Sequence, residues 1–133
     1  MFTLVVLYFL SYGLGQVTDC NTTSLFHINS QNFQPDPPIV GQNATLWIDY
    51  TVPEGLQINS GTAKYSVSIN GIQLTPTTED LCTQITCPQV PGTYNITSTS
   101  VWNGGISGKL VSTIQWYNTN NTELLCSKTK VTV

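Results

Sequence analysis

The sequence predicts an all-β fold, an antiparallel β-sandwich, on three observations. Apolar residues recur with period two in run after run. No stretch sustains the 3.6-residue period of an amphipathic helix. Clusters of Gly, Pro and Asn divide the runs at short intervals, as turns between strands require. A length of 133 residues suits one domain, with no repeat, linker or second unit visible.

Taken in order, the first strand is expected around Leu25 to Phe33, where the alternation is least clean. Pro35, Pro37, Pro38 and Gly41 end it. The second is the clearest: Ala44, Leu46, Ile48, Tyr50 and Val52 share one face, and Thr45, Asp49 and Thr51 the other. Trp47 interrupts that polar face. It is expected to pack under a loop or across strands, with membrane contact as the sharper alternative. Pro53-Glu54-Gly55 closes the strand. Ala63, Tyr65, Val67 and Ile69 then alternate with Lys64, Ser66, Ser68 and Asn70, and Asn70-Gly71 is a tight-turn dipeptide. Tyr94, Ile96, Ser98, Ser100 and Trp102 form a weaker strand between Pro91-Gly92 and Asn103-Gly104-Gly105. Leu110, Ser112, Ile114 and Trp116 alternate with Val111, Thr113, Gln115 and Tyr117. The last run sets Leu125, Val131 and Val133 against Lys128 and Lys130, a pair read first as edge-strand protection and second as a contact for anionic headgroups.

Composition narrows the function. Only 8% of residues are charged, there is no Arg, and the net charge is -3, so no basic patch for nucleic acid is expected. His27 is the single imidazole, which removes most histidine-based catalysis. Gly104-Gly105-Ile106-Ser107-Gly108 lacks the spacing of a nucleophile elbow, and Glu79-Asp80 reads as a turn beside a disulfide loop. No enzyme, catalytic residue, metal or cofactor is expected.

Export is expected instead. MFTLVVLYFL is apolar but too short to span a bilayer, and Gly13 and Gly15 follow it with signal-peptidase spacing. Residues 1–15 are therefore read as a signal peptide and residues 16–133 as the mature domain. Asn21, Asn43, Asn95 and Asn120 head glycosylation sequons. Four cysteines, Cys20, Cys82, Cys87 and Cys126, read as two disulfides with three possible connectivities. The short spacing of Cys82 and Cys87 favours a small loop, leaving Cys20 for Cys126. A zinc site would need a second ligand pair, which is absent.

The order of these features resembles a family. A Cys near the mature start precedes PPIVGQNATLWIDYTV, followed by Asp80-Leu81-Cys82, Cys87-Pro88, the strand LVSTIQWYN and Leu125-Cys126. This is similar to the ML lipid-recognition domain over Cys20 to Val133. The resemblance implies an immunoglobulin-like β-sandwich with a cavity between its two sheets, and the same two disulfides. The family's sterol carrier has a further small disulfide loop in the Pro-rich segment, whereas QPDPPIVG here has no Cys. That departure leaves the pocket rim, and with it sterol preference, open.

The function implied is binding of a sterol or a phospholipid such as phosphatidylglycerol or phosphatidylinositol, and its transfer between membranes. An apolar gap alone supplies affinity, because each CH2 withdrawn from water contributes ~0.8 kcal/mol. The inward faces nominate Ala44, Leu46, Ile48, Tyr50, Tyr65, Val67, Ile69, Trp102, Leu110, Ile114 and Trp116 as lipid-binding. The competing expectation is that they fill a close-packed interior. Expected partners are the lipid and, transiently, a membrane, with the protein monomeric and secreted or in the endosomal or lysosomal lumen. A lipid-dependent recognition protein that binds a receptor when loaded is the alternative. Asp80 to Pro88 and Asn103 to Ser107 are candidate gating loops.

Overall fold

Alternation of this kind can bury one face only if two sheets meet, and they do. The structure, a computed structural model, describes residues 16–35, 39, 41–101 and 108–132. These form β1 (Gln16–Asp19), β2 (His27–Gln34), β3 (Asn43–Val52), β4 (Gly61–Ile69), β5 (Ile72–Gln73), β6 (Thr77–Asp80), β7 (Gly92–Val101), β8 (Lys109–Asn118) and β9 (Glu123–Thr132), with one 3-10 turn at Leu81–Thr83. One sheet runs β1-β9-β8-β4-β5, with β6 also on β4, and the other runs β2-β3-β7. Every pairing is antiparallel. The expected signal peptide, residues 1–15, and the loop Asn103 to Ser107 lie outside the described residues.

The period-two reading gives the correct faces. Ala44, Leu46, Ile48, Tyr50 and Val52 are all buried. Across them β7 places Ser100, Ser98, Ile96, Tyr94 and Gly92 in register. The first strand begins two residues later than expected. Its pairing with β3 shifts between Ile28 and Ser30, and such a bulge breaks the two-residue period, which accounts for the uneven pattern. Asn70-Gly71 makes the expected turn: φ is 52° and 83°, positive at both central positions as a type I′ turn requires. Gly108 sits against this turn, where an added Cβ would lie 2.0 Å from Asn70 Oδ1, an atom that accepts the Lys109 backbone N–H at 2.9 Å.

Two local readings need correction. Glu79 and Asp80 belong to strand β6, and Asp80 caps the following turn by accepting the Cys82 N–H at 3.0 Å. Strand β9 is not an edge, since β1 and β8 flank it, so Lys128 and Lys130 do not serve as edge protection. Trp47 lies on the outer face of its sheet, half-buried, in register with Asn32 and Thr97.

The two flanks of the sandwich differ. On one, the segment entering β2 bonds directly to β9: Leu25 N–H donates to Glu123 O at 3.2 Å and Phe26 N–H to Leu124 O at 2.8 Å. Ser127 Oγ also donates to Gln31 Oε1 across the sheets. On the other flank β7 pairs only with β3, and no backbone bond joins β7 to β4, β5 or β6 among the described residues.

Cys20–Cys126 and Cys82–Cys87 form the expected disulfides, with sequence separations of 106 and 5. Chain entropy assigns ~5 kcal/mol to the long loop and ~2 kcal/mol to the short one. Replacing Cys20 and Cys126 together by Ser should therefore lower the denaturant midpoint far more than replacing Cys82 and Cys87. Urea unfolding of the two double variants measures this.

Candidate functional site

Inward side chains change size along the strands. At the end where β3 finishes and β7 begins, Phe26, Tyr50 and Trp116 form an aromatic cluster. Phe26 stacks on Tyr50 with centroids 5.4 Å apart, and Trp116 meets Tyr50 edge-on at 5.3 Å. Ile48, Ile58, Leu81, Leu124 and Leu125 complete a solid interior there. Tyr50 OH donates to Gln89 Oε1, and Gln89 is itself held by paired backbone bonds with Ile58 at 2.9 and 2.8 Å. Trp116 Nε1 is buried with no partner.

Toward the other end the same strands present smaller groups. Ser98 and Ser100 replace Tyr94 and Ile96 on β7, Ser112 follows Ile114 on β8, and Ala44 follows Leu46 on β3. A cavity of about 180 Å³ opens between the sheets at this level. Its walls are Phe33, Ala44, Leu46, Val67, Leu110, Ile114 and Val131, with hydroxyls from Ser98, Ser100, Ser112 and Thr129. A second hollow of about 260 Å³ shares Ser98 and Ile114 with it and extends along the open flank past Tyr65, Ile96 and Trp116. Ligand pockets span ~300–1,000 Å³. Each hollow alone is below that range. A wider depression of about 650 Å³ lies beside the Cys82–Cys87 loop, against Tyr50, Tyr94 and Ile96. It is shallow, and residues such as Thr83, Gln84, Thr86 and Asn95 make it mostly polar.

The candidates divide accordingly. Ala44, Leu46, Val67, Leu110 and Ile114 meet at the inter-sheet cavity, and Tyr65, Ile114 and Trp116 at the adjoining hollow. Tyr50 contributes to the filled interior and to the outer depression. Ile48, 1% exposed, is packed within the filled half, and Ile69 borders none of these three hollows. Trp102 lies outside the described residues. Ser98, Ser100, Ser112, Thr129, Phe33 and Val131 were not nominated. For the serines the signal was the run of small inward residues, which marks missing volume. Of the two loops proposed to gate, Asp80 to Pro88 borders the outer depression.

Chemistry at the site is sparse. Burial, and secondarily Tyr94, push the Tyr50 phenol far above the ordinary tyrosine range. Burial, and secondarily the Glu79 carboxylate, raise that of Tyr65. Among the described residues no group of three or more His, Cys, Asp or Glu could hold a metal ion, and no cysteine is free. What the arrangement offers is an apolar enclosure with hydroxyls at its open side.

A family model described as the ML domain matches residues 15–133. The chain belongs to the ML domain family. This membership makes it a non-enzymatic domain. It is 36% identical over 87 residues to a Dictyostelium discoideum protein provisionally named a phosphatidylglycerol/phosphatidylinositol transfer protein, a match covering 62% of this chain. The chain spans only 58% of that relative's length. The fold is similar to a Niemann-Pick type C2 protein from the Japanese carpenter ant, with a TM-score of 0.67, 13% identity, and coverage of 88% of this chain and 98% of that one. It is also similar to chicken MD-1, solved with lipid IVa, at a TM-score of 0.63 and 13% identity over 89% of this chain and 88% of that one. Both are two-sheet relatives in fold.

Tyr50→Phe should cost about 1–3 kcal/mol by leaving the buried Gln89 oxygen unpaired. The native protein keeps the Tyr50 proton where the unfolded chain, with a pKa near 10, loses it. Its stability is therefore expected to fall as pH rises above about 10. Denaturant titrations across alkaline pH should show a flatter decline for Tyr50→Phe than for the parent.

Proposed function

We propose that this protein binds a sterol or phospholipid between its two sheets and transfers it between membranes. The observation that carries this reading is the cavity that small inward residues leave beside a flank where, among the described residues, no strand pairing joins the two sheets. Burial of hydrocarbon there contributes ~0.8 kcal/mol per CH2, enough for useful affinity without directional chemistry. The polar part of the guest stays at the hydroxyl-bearing mouth, near Ser98 and Ser100. The names of the Dictyostelium relative and of the lipid-bound MD-1 complex support the ligand class. Phosphatidylglycerol, phosphatidylinositol and sterols are the ligands to test first.

The setting proposed is extracellular or lumenal, with residues 1–15 removed as a signal peptide. Two disulfides and four exposed or half-buried sequon asparagines fit an oxidising, glycosylating route. The protein acts as a monomer that touches membranes transiently.

Val67 is the informative position, since it lines the cavity and is only half-buried. Val67→Asp should fold and lose most uptake of pyrene-labelled phosphatidylglycerol or dehydroergosterol. Ser98→Phe, which fills the exposed mouth, should reduce loading at least tenfold with little change in stability. Ile48 does not serve this purpose, because a charge placed there would disrupt the filled half. Normal transfer between vesicles by a folded Val67→Asp protein would sink the cavity assignment. A stable lipid-dependent protein complex without vesicle exchange would favour the recognition role instead.

A further inference from the structure

The chain has four lysines, and three of them, Lys109, Lys128 and Lys130, fall on one small area. The registers Lys109↔Thr132 and Val111↔Lys130 make Lys109 and Lys130 diagonal neighbours on the outer face of β8 and β9, a separation of ~7–8 Å. Lys128 is two residues along the same face, ~7 Å away. Lys109 and Lys130 are exposed. Interior strands do not need lysines to block edge pairing, so their clustering requires another account.

Most of the acids are elsewhere. Glu54, Glu79, Asp80 and Glu123 lie toward the opposite ends of the strands and Asp49 is on the other sheet, while Asp19, on β1 in register with Ser127 and so on the opposite face from Lys128, accepts the Asn21 N–H at 3.0 Å. Asp36 lies outside the described residues. Among the described residues, three of the four lysines thus gather toward the cavity end, while Glu54, Glu79, Asp80 and Glu123 lie with Lys64 toward the filled end. Between Lys109, Lys130 and Gln16 is a hollow of about 360 Å³ with no carboxylate in its walls. It shares Leu110 and Val131 with the inter-sheet cavity. At the same strand ends, Ile72 is 69% exposed and Ile39 and Leu74 are also open to solvent. Ile72 is in register with Ile69, which pairs with Leu110.

We propose that this end is the docking face for an anionic bilayer, with Lys109, Lys128 and Lys130 meeting headgroup phosphates and Ile39, Ile72 and Leu74 entering the interface. The end of the sandwich that holds the cavity then faces the membrane. Charge complementarity selects the occupant: on a protein of net charge -3, this face gathers three of the four lysines, so an anionic surface attracts it more than any other described face. The inference rests on the carrier reading but is tested apart from it.

The test is binding of the full mature protein to phosphatidylcholine vesicles with and without phosphatidylserine, by co-sedimentation. Binding should require phosphatidylserine, weaken as salt rises, and fall roughly tenfold or more in Lys109→Gln/Lys130→Gln. Lys64→Gln, six positions along β8 from Lys109 by register and so ~20 Å away, should bind as the parent does. Uptake of pyrene-labelled phosphatidylglycerol in vesicle-free solution should be unchanged in the double variant. Equal binding to both vesicles, equal loss with Lys64→Gln, or competition by inorganic phosphate at low millimolar level would overturn the proposal, the last by revealing a discrete anion site. Loss of uptake by every protein, with charge-dependent binding intact, would instead overturn the carrier reading and leave the docking face standing.

Discussion

The size gradient of inward side chains is the constraint on which the structure depends. A sandwich needs its two sheets about 10 Å apart along their whole length, and that spacing must be propped by something. Here Phe26, Tyr50 and Trp116 prop one end, with Ile48 and Leu81 packed around them. Because the strands are stiff and continuous, the spacing set there carries to the end where Ser98, Ser100, Ser112 and Ala44 are too small to fill it. The cavity is thus a consequence of filled volume elsewhere, not of a special pocket motif.

The unequal flanks convert that gap into an accessible one. Backbone bonds from Leu25 and Phe26 to β9, and the Ser127–Gln31 pair, hold β2 to the sheet containing β9. The Ile58–Gln89 bridge fixes the loops at the filled end. No comparable tie joins β7 to the facing sheet among the described residues, so separation of the sheets breaks dispersion contacts there but no hydrogen-bonded ladder. The flank of least resistance coincides with the strand bearing Ser98 and Ser100.

Much of this was legible in the sequence, for a physical reason. Period two assigns a face to each residue, and β3, β4 and β8 have long, unbroken alternation, so their inward sets were read correctly. Strands β5 and β6 were not legible: they have two and four residues, too few for a period, and all six are exposed. The bulge in β2 hid its register for a related reason. At the site, apolar residues were the obvious candidates, yet apolarity cannot separate Ile48, which fills space, from Val67, which borders it. The discriminating information was the small inward residues, and these look polar and uninformative when counted singly. Whether β9 was an edge depended on β1, a four-residue strand far away in sequence, and no local pattern reports that pairing.

The hydroxyls also bear on how the empty protein survives. A sealed apolar void of about 180 Å³ would cost about 4 kcal/mol at ~24 cal/mol per Å³, a large share of the stability of a domain this size. Ser98 and Ser100 sit exposed at the open flank, and with Ser112 and Thr129 they give water hydrogen-bonding partners in a space it would otherwise avoid. On the proposed reading, an occupant that is mostly hydrocarbon would release that water and meet Val67, Leu110 and Val131. The hydroxyls then face whatever polar group the guest retains at the mouth. Polar lining of the inter-sheet cavity is therefore not a defect in its greasiness: it lowers the penalty of the unloaded state, which the proposed carrier role would require once in every cycle.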